Sequence, residues 1–164
     1  MKRITALFVV IALCGLMVPG ESEARAISIS PRVAVPVGDF GDLVGTGFGG
    51  AVSMTKEVKG KPGRVGLVFL TFPEGDFSSA TACGAFAGYK YMFGSSDLRL
   101  FGKFDTTLYR ISTETDIGKF ETDETKIKLS PGIGIQMNSI SVEVDYDLAG
   151  DWMGINLYYA LGSE

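Results

Sequence analysis

The sequence predicts an all-β chain that closes into an eight-stranded antiparallel up-and-down β-barrel. Three observations carry this. Apolar and polar residues alternate with period two along nearly the whole chain after residue 25. Tight turns rich in Gly, Pro, Asn, Ser and Asp alternate with longer polar connections. The non-apolar face of several strands consists of Gly, Ala, Ser and Thr rather than Lys and Glu, as the interior of a narrow barrel requires.

The first 24 residues read as an export signal and are set apart from the fold. Lys2 and Arg3 form a basic start, Ile4 to Val18 is an almost unbroken apolar run, and Pro19-Gly20 ends it. Ser22-Glu23-Ala24 and Ala24-Arg25-Ala26 are both small-residue cleavage patterns, and we place the cut after Ala24. The apolar run is short for a spanning helix. Residues 25–164 are then one domain, and loss of Lys2, Arg3, Glu21 and Glu23 leaves the net charge at −4.

The first strand is marked by Ile27, Ile29, Val33, Val35 and Val37 alternating with Ser28, Ser30, Arg32 and Ala34. Gly45 to Glu57, Arg64 to Phe72, Ala80 to Phe93, Leu98 to Ile111 and Lys126 to Gln136 continue the pattern. In the seventh strand Ile140, Val142, Val144, Tyr146 and Leu148 separate cleanly from Ser141, Glu143, Asp145 and Asp147, a segregation no helix produces. Trp152 to Leu161 is the eighth. Pro31, Pro36 and Pro131 fall in or at the ends of these strands, so bulges or strand ends are expected there.

Residues 59–63, 94–97 and 137–139 are short hairpin turns, whereas Gly38 to Val44, Pro73 to Ser79 and Ser112 to Thr125 are longer connections. The last of these carries Glu114, Asp116, Glu121, Asp123 and Glu124 against Lys119 alone. An even-stranded meander with tight turns at one end and longer polar loops at the other is the pattern of a transmembrane β-barrel.

Which face looks inward follows from residue size and charge. Gly45, Gly47, Gly49, Ala51, Ser53 and Thr55 on the second strand fit only a confined interior, as do Ala82, Gly84, Phe86, Gly88 and Lys90 on the fourth. The long polar groups on this face carry both signs. Arg99, Lys103, Asp105, Lys126, Lys128, Glu143, Asp145 and Asp147 lie on successive strands, and buried charge is tolerable only when paired, so they are expected to form an ionic network in the lumen. Leu98, Leu100, Phe104, Leu108, Ile127, Leu129, Ile133 and Ile135 then face lipid. Phe72 and Trp152 at the loop end are expected to form one aromatic girdle, with Tyr89, Tyr91, Phe93, Tyr158 and Tyr159 forming another at the turn end.

Composition excludes several functions. The chain has no His, which removes triad hydrolysis and His-based zinc chemistry, and no fixed spacing of acidic ligands marks a metal or cofactor site. Cys83 is the only cysteine left after cleavage and reads as a small packed residue. Basic residues are scattered, so nucleic acid is not an expected partner.

With these residues in view, the chain resembles the small eight-stranded outer-membrane barrels of the OmpA/OmpX type. Val35-Pro36-Val37-Gly38-Asp39-Phe40-Gly41-Asp42, followed by the Gly-rich second strand, looks like their first strand and loop. Gly154, Leu157 and Tyr159 are similar to the last-strand signal that barrel-assembly machinery reads, although here Ala160 to Glu164 continue past the terminal aromatic. The resemblance implies a bacterial outer-membrane location, contact with outer-membrane lipid and with the assembly machinery, a monomer, and a non-enzymatic structural or surface-interaction role toward an unidentified extracellular partner. Two other readings remain open at this point: a soluble periplasmic or secreted lipocalin-like barrel holding a small hydrophobic ligand, and a narrow channel.

Overall fold

The structure is a computed structural model of the 164-residue chain and describes residues 26–58, 61–74, 78–94, 98–115, 120–148 and 152–161. The expected leader, residues 1–24, lies outside the described residues. Eight strands form, where the periodicity places them: β1 (Ala26–Pro36), β2 (Gly47–Val58), β3 (Lys61–Phe72), β4 (Ser78–Phe93), β5 (Leu98–Thr115), β6 (Phe120–Met137), β7 (Ile140–Tyr146) and β8 (Trp152–Leu161). Each pairs antiparallel with the next, and β8 returns to β1, so the sheet is a closed barrel. Closure removes sheet edges from the apolar region, the condition for a β-structure that crosses a membrane.

The largest departure from expectation is at residues 112–125. They were expected as a loop, but residues 112–115 belong to β5 and 120–125 to β6, in one register that runs from Leu98↔Met137 to Thr115↔Phe120. Their polarity hides the strand: on a ribbon standing in water neither face needs to be apolar, so period-two hydrophobicity disappears. The Gly38 to Val44 connection contains a one-turn helix, α1 (Gly38–Gly41), and Val44 bridges to Glu74 so that the first two loops are tied together. At the opposite end Asn138-Ser139 alone joins β6 to β7, with Asn138 at φ 53°, a left-handed conformation that two-residue hairpin turns require.

The prolines end or interrupt ladders without making bulges. Pro36 is the last residue of β1. Leu148 N–H donates to Leu129 C=O at 2.9 Å, so the odd-numbered residues of β6 turn their backbone groups toward β7. The missing N–H of Pro131 therefore faces β7, and the β6–β7 ladder stops at Gly132. Pro31 interrupts the β1–β8 ladder in the same way, and the register is unchanged on either side of the gap.

Alternation assigns every strand an outer and an inner face. Val142, Val144 and Leu129 are each 40% exposed on the outside, and Ile127 and Ile133 exceed 70%, whereas Lys128 and Glu143 are each 1% exposed on the inside. The greasy residues form the outer wall and the charged ones the core, the reverse of a water-soluble barrel. Cys83, expected to be packed, sits on the exposed outer face. Tyr89, Tyr91, Phe93 and Tyr159 also face outward near the turn end, as expected of a girdle. Phe72, Trp152 and Tyr158 do not: all three are buried inside. Their strands alternate so that these large rings share the lumen face, and strand-end position alone did not reveal which way they point.

Candidate functional site

The interior divides into two levels. Among the described residues, four cations (Arg32, Arg64, Lys103, Lys128) and four carboxylates (Asp105, Glu143, Asp145, Asp147) are buried. Six of these form one cluster. Lys103 Nζ lies 2.7 Å from Asp145 Oδ2 and 3.2 Å from Asp105 Oδ2, and it also donates to Glu143 Oε1. A single ammonium thus fills the point at which three carboxylates from β5 and β7 converge. Arg32 Nη2 reaches Asp145 Oδ1 at 2.6 Å from β1. From β3, Arg64 Nη1 meets Glu143 Oε2 at 3.3 Å and Nη2 donates to the Tyr158 hydroxyl at 2.7 Å. The Asn156 amide donates to both Glu143 (3.1 Å) and Asp145 (3.0 Å). Three positive and three negative groups balance, and their mutual hydrogen bonds are what makes burial of six charges tolerable.

The second level is nearer the loops. Lys128 Nζ pairs with Asp147 Oδ2 at 2.5 Å and lies 3.5 Å from the centroid of the Trp152 ring. Above it the Trp152 ring meets Tyr109 edge to face (centroids 5.2 Å apart) and Phe72 at a tilt (5.3 Å), and Phe40 from α1 inserts against Phe72 (5.2 Å) and Trp152 (5.8 Å). This apolar plug, joined by Ala34, Val68, Leu70, Ala80, Ala82 and Ile111, fills the loop-side half of the lumen. Apart from Phe86, which was placed on the inward face, it was not visible in the sequence, where small and charged lumen groups were expected.

Glycine makes room for the ions. A Cβ on Gly154 would lie 2.6 Å from Arg32 Nη2 and collide with Asp145 Oδ1, and one on Gly88 would collide with Asp105 Oδ1. Gly154→Ala is therefore expected to destabilise the barrel by about 1–3 kcal/mol through forced displacement of the Arg32–Asp145 pair. A urea-unfolding midpoint indistinguishable from that of the parent protein would refute this.

The expected network is only partly the observed one. Lys103, Asp105, Lys128, Glu143, Asp145 and Asp147 all meet in the lumen, in two separate sets. Arg99 and Lys126 do not join them. Arg99 shares the inward register but sits exposed at the turn-end mouth, and no ion pair with it is formed among the described residues. Lys126 lies at the loop end and pairs with Glu124 at 3.1 Å. Periodicity reports the face of a residue, not its height along the barrel. Arg32, Arg64, Asn156 and Tyr158 were missed. Arg32 was already alternating with Ser30 and Ala34, a small-residue face that marked it as inward. Of the last-strand triplet, Leu157 and Tyr159 face outward, while Gly154 belongs to the opposite, lumen face.

On the β5–β6 ribbon, Arg110 and Ser112 both donate to Asp123 on the outer face. The bond from Ser112, followed by that from Arg110, holds the Asp123 carboxyl below the usual carboxylate range. Among the described residues no group of three or more His, Cys, Asp or Glu is placed to hold a metal ion.

A closed eight-stranded barrel with an apolar exterior and an ionic, plugged interior has the fold of the small outer-membrane barrels. Among solved structures, the chain is similar to the neisserial surface protein A, NspA, with a TM-score of 0.65 and 12% identity over 86% of this chain and 98% of that one. It is also similar to Ail, the attachment invasion locus protein of Yersinia pestis, with a TM-score of 0.54 and 16% identity over 86% of this chain and 98% of that one. A further structure, of Ail in complex with the heparin analogue sucrose octasulfate, has a TM-score of 0.54 at 18% identity. At such identities the likeness is one of fold. No protein-family model matches the chain, and no curated protein sequence matches it.

Proposed function

We propose that the chain is a non-enzymatic outer-membrane protein, whose barrel anchors it in the lipid while its acidic loops and β5–β6 ribbon meet the exterior in a structural or surface-interaction role. The observation that carries this is the belt of exposed Ile, Leu, Val and Phe side chains around a wall whose inside is ionic. So large a continuous apolar surface is stable only against hydrocarbon. In this reading residues 1–24 are a signal peptide, residues 25–164 the mature monomer, and Gly154, Leu157 and Tyr159 the signal read by the barrel-assembly machinery.

The other two readings lose their support. A lipocalin-like barrel needs apolar side chains around an internal cavity, whereas here ions and stacked rings fill the interior. A channel needs a continuous polar path, and the apolar Phe40–Phe72–Trp152 plug stands across it. Capture of a polyanion, as in the Ail complex, is not favoured either. The loop-end segments 37–46, 73–77, 110–126 and 149–151 carry Asp39, Asp42, Glu74, Asp76, Glu114, Asp116, Glu121, Asp123, Glu124 and Asp151 against Arg110, Lys119 and Lys126.

Cell fractionation with electrophoresis before and after boiling tests the proposal. The expected result is recovery with outer membranes, resistance to salt extraction and a mobility shift on heating, since a closed barrel resists detergent until heated. Release by salt alone would contradict membrane insertion.

A further inference from the structure

The turn end of the barrel is charged oppositely to the acidic loop end. Segments 56–63, 90–99 and 136–141 carry Lys56, Lys59, Lys61, Lys90 and Arg99 against Glu57 and Asp97, while residues 25–28 and 160–164 add only Arg25 and Glu164. Two of these cations belong to the lumen side of the wall. Lys90 shares the inward alternation of Phe86 on β4, and Arg99 that of Phe101 on β5, and both rings are buried.

The register brings the two cations to one amide. Gln136 on β6 lies directly opposite Arg99. From the far side of β5, Lys90 Nζ passes over the face of the Phe101 ring, 3.7 Å from its centroid, and donates to Gln136 Oε1 at 2.9 Å. Gln136 Nε2 donates to the Asn138 carbonyl at 3.1 Å, which turns the amide oxygen toward Lys90. Phe101 is the floor of this mouth, and the six-ion cluster lies deeper.

Both partners of Lys90, an amide oxygen and a ring face, are neutral, and an ammonium has further N–H groups to give. Among the described residues no carboxylate pairs with Lys90 or Arg99. Glu143, deeper on β7, already accepts from Lys103, Arg64 and Asn156. The deeper cluster is neutral by itself, so the two charges at the mouth are in excess. Two cations gathered without a counter-ion repel each other, and an anion from solvent relieves that cost.

Resting on the outer-membrane reading above, which puts the short turns on the periplasmic side, we propose that Lys90, Arg99 and Gln136 bind a phosphate group at the turn-end mouth of the lumen. The phosphate is carried by a soluble periplasmic molecule or by a lipid headgroup at the rim. Lys90 contributes a point charge, and the Arg99 fork matches two oxygens of one phosphate.

The test is a titration of the nitrogen-15-labelled mature protein with sodium phosphate at constant ionic strength, followed by NMR in octyl glucoside, a phosphate-free detergent. The expected result is saturable movement of the Gln136 side-chain amide and Arg99 Nε–H signals. The affinity should fall at least tenfold in Lys90→Gln and in Arg99→Gln, and stay unchanged in Lys126→Gln at the loop end. Arg99 is exposed, so Arg99→Gln decides should Lys90→Gln fail to fold. Repetition in phosphatidylglycerol nanodiscs separates the two sources. Signals already at their bound positions before phosphate is added assign the site to the headgroup, and a retained titration assigns it to a soluble ligand; either supports the proposal. No saturable movement in detergent, or equal binding by all three variants, would overturn it. So would binding that appears only after Glu57→Gln and Asp97→Asn, since the chain's own carboxylates would then be the counter-ions. Each of these failures leaves the membrane reading in place, because the heat-dependent mobility shift reports that separately.

Discussion

Replacing Lys103 with methionine is expected to destabilise the barrel by about 3–5 kcal/mol, the range for breaking a buried ionic cluster by removing one partner. Methionine matches the length of the stem but not the charge. Asp105, Glu143 and Asp145 would then face only Arg32 and Arg64, with one negative charge uncompensated in a lumen closed to water on the loop side. Adding Asp105→Asn to Lys103→Met restores neutrality and is expected to recover part of the loss. Neither partner's contribution is expected to add independently of the other. Urea unfolding followed by the fluorescence of Trp152, the sole tryptophan, checks both variants, because this ring lies in the lumen beside Lys128. A Lys103→Met midpoint equal to that of the parent protein would mean that the six ions do not stabilise the fold as a unit.

Val144→Arg is the second large effect. Val144 lies mid-strand on the outer wall, with Ile133 and Ile155 as its neighbours across the sheet. A guanidinium there is expected to cost about 2–4 kcal/mol when the surroundings are bilayer hydrocarbon. Ser141→Ala, on the buried inner face of the same strand, removes one small hydroxyl and is expected to change stability by less than about 1 kcal/mol. Folding into vesicles and comparing urea midpoints measures the contrast. Equal tolerance at the two positions would contradict the assignment of the two faces.

The strands were legible because a wall with lipid on one side and a crowded interior on the other forces period-two segregation. β7, where Val142 and Val144 alternate with Glu143 and Asp145, is the purest instance. Legibility failed wherever that contrast lapses. Residues 112–115 and 122–125 have polar groups on both faces, and so read as a loop although they are strand. In the loop-side half of the lumen the inward residues Val68, Leu70, Phe72 and Trp152 are as apolar as those facing outward, so the plug carried no signal. Arg64 was overlooked for the same reason: its face continues into Val68, Leu70 and Phe72. Arg99 and Lys126 were placed on the correct face but at the wrong height, since alternation says nothing about distance along the barrel axis. Height is set by strand tilt and register, which only the pairing of whole strands defines.

The central claim is that the apolar wall looks out at hydrocarbon. Nitroxide side chains placed at Val142, Val144 and Leu129 in a Cys83→Ser background, with the protein in phospholipid vesicles, test it most directly. Collision with dissolved oxygen should exceed collision with a water-soluble nickel chelate at all three sites, because oxygen concentrates in the bilayer and the chelate is excluded from it. Ready access of the nickel chelate to these three positions would place water where lipid is required and contradict the claim.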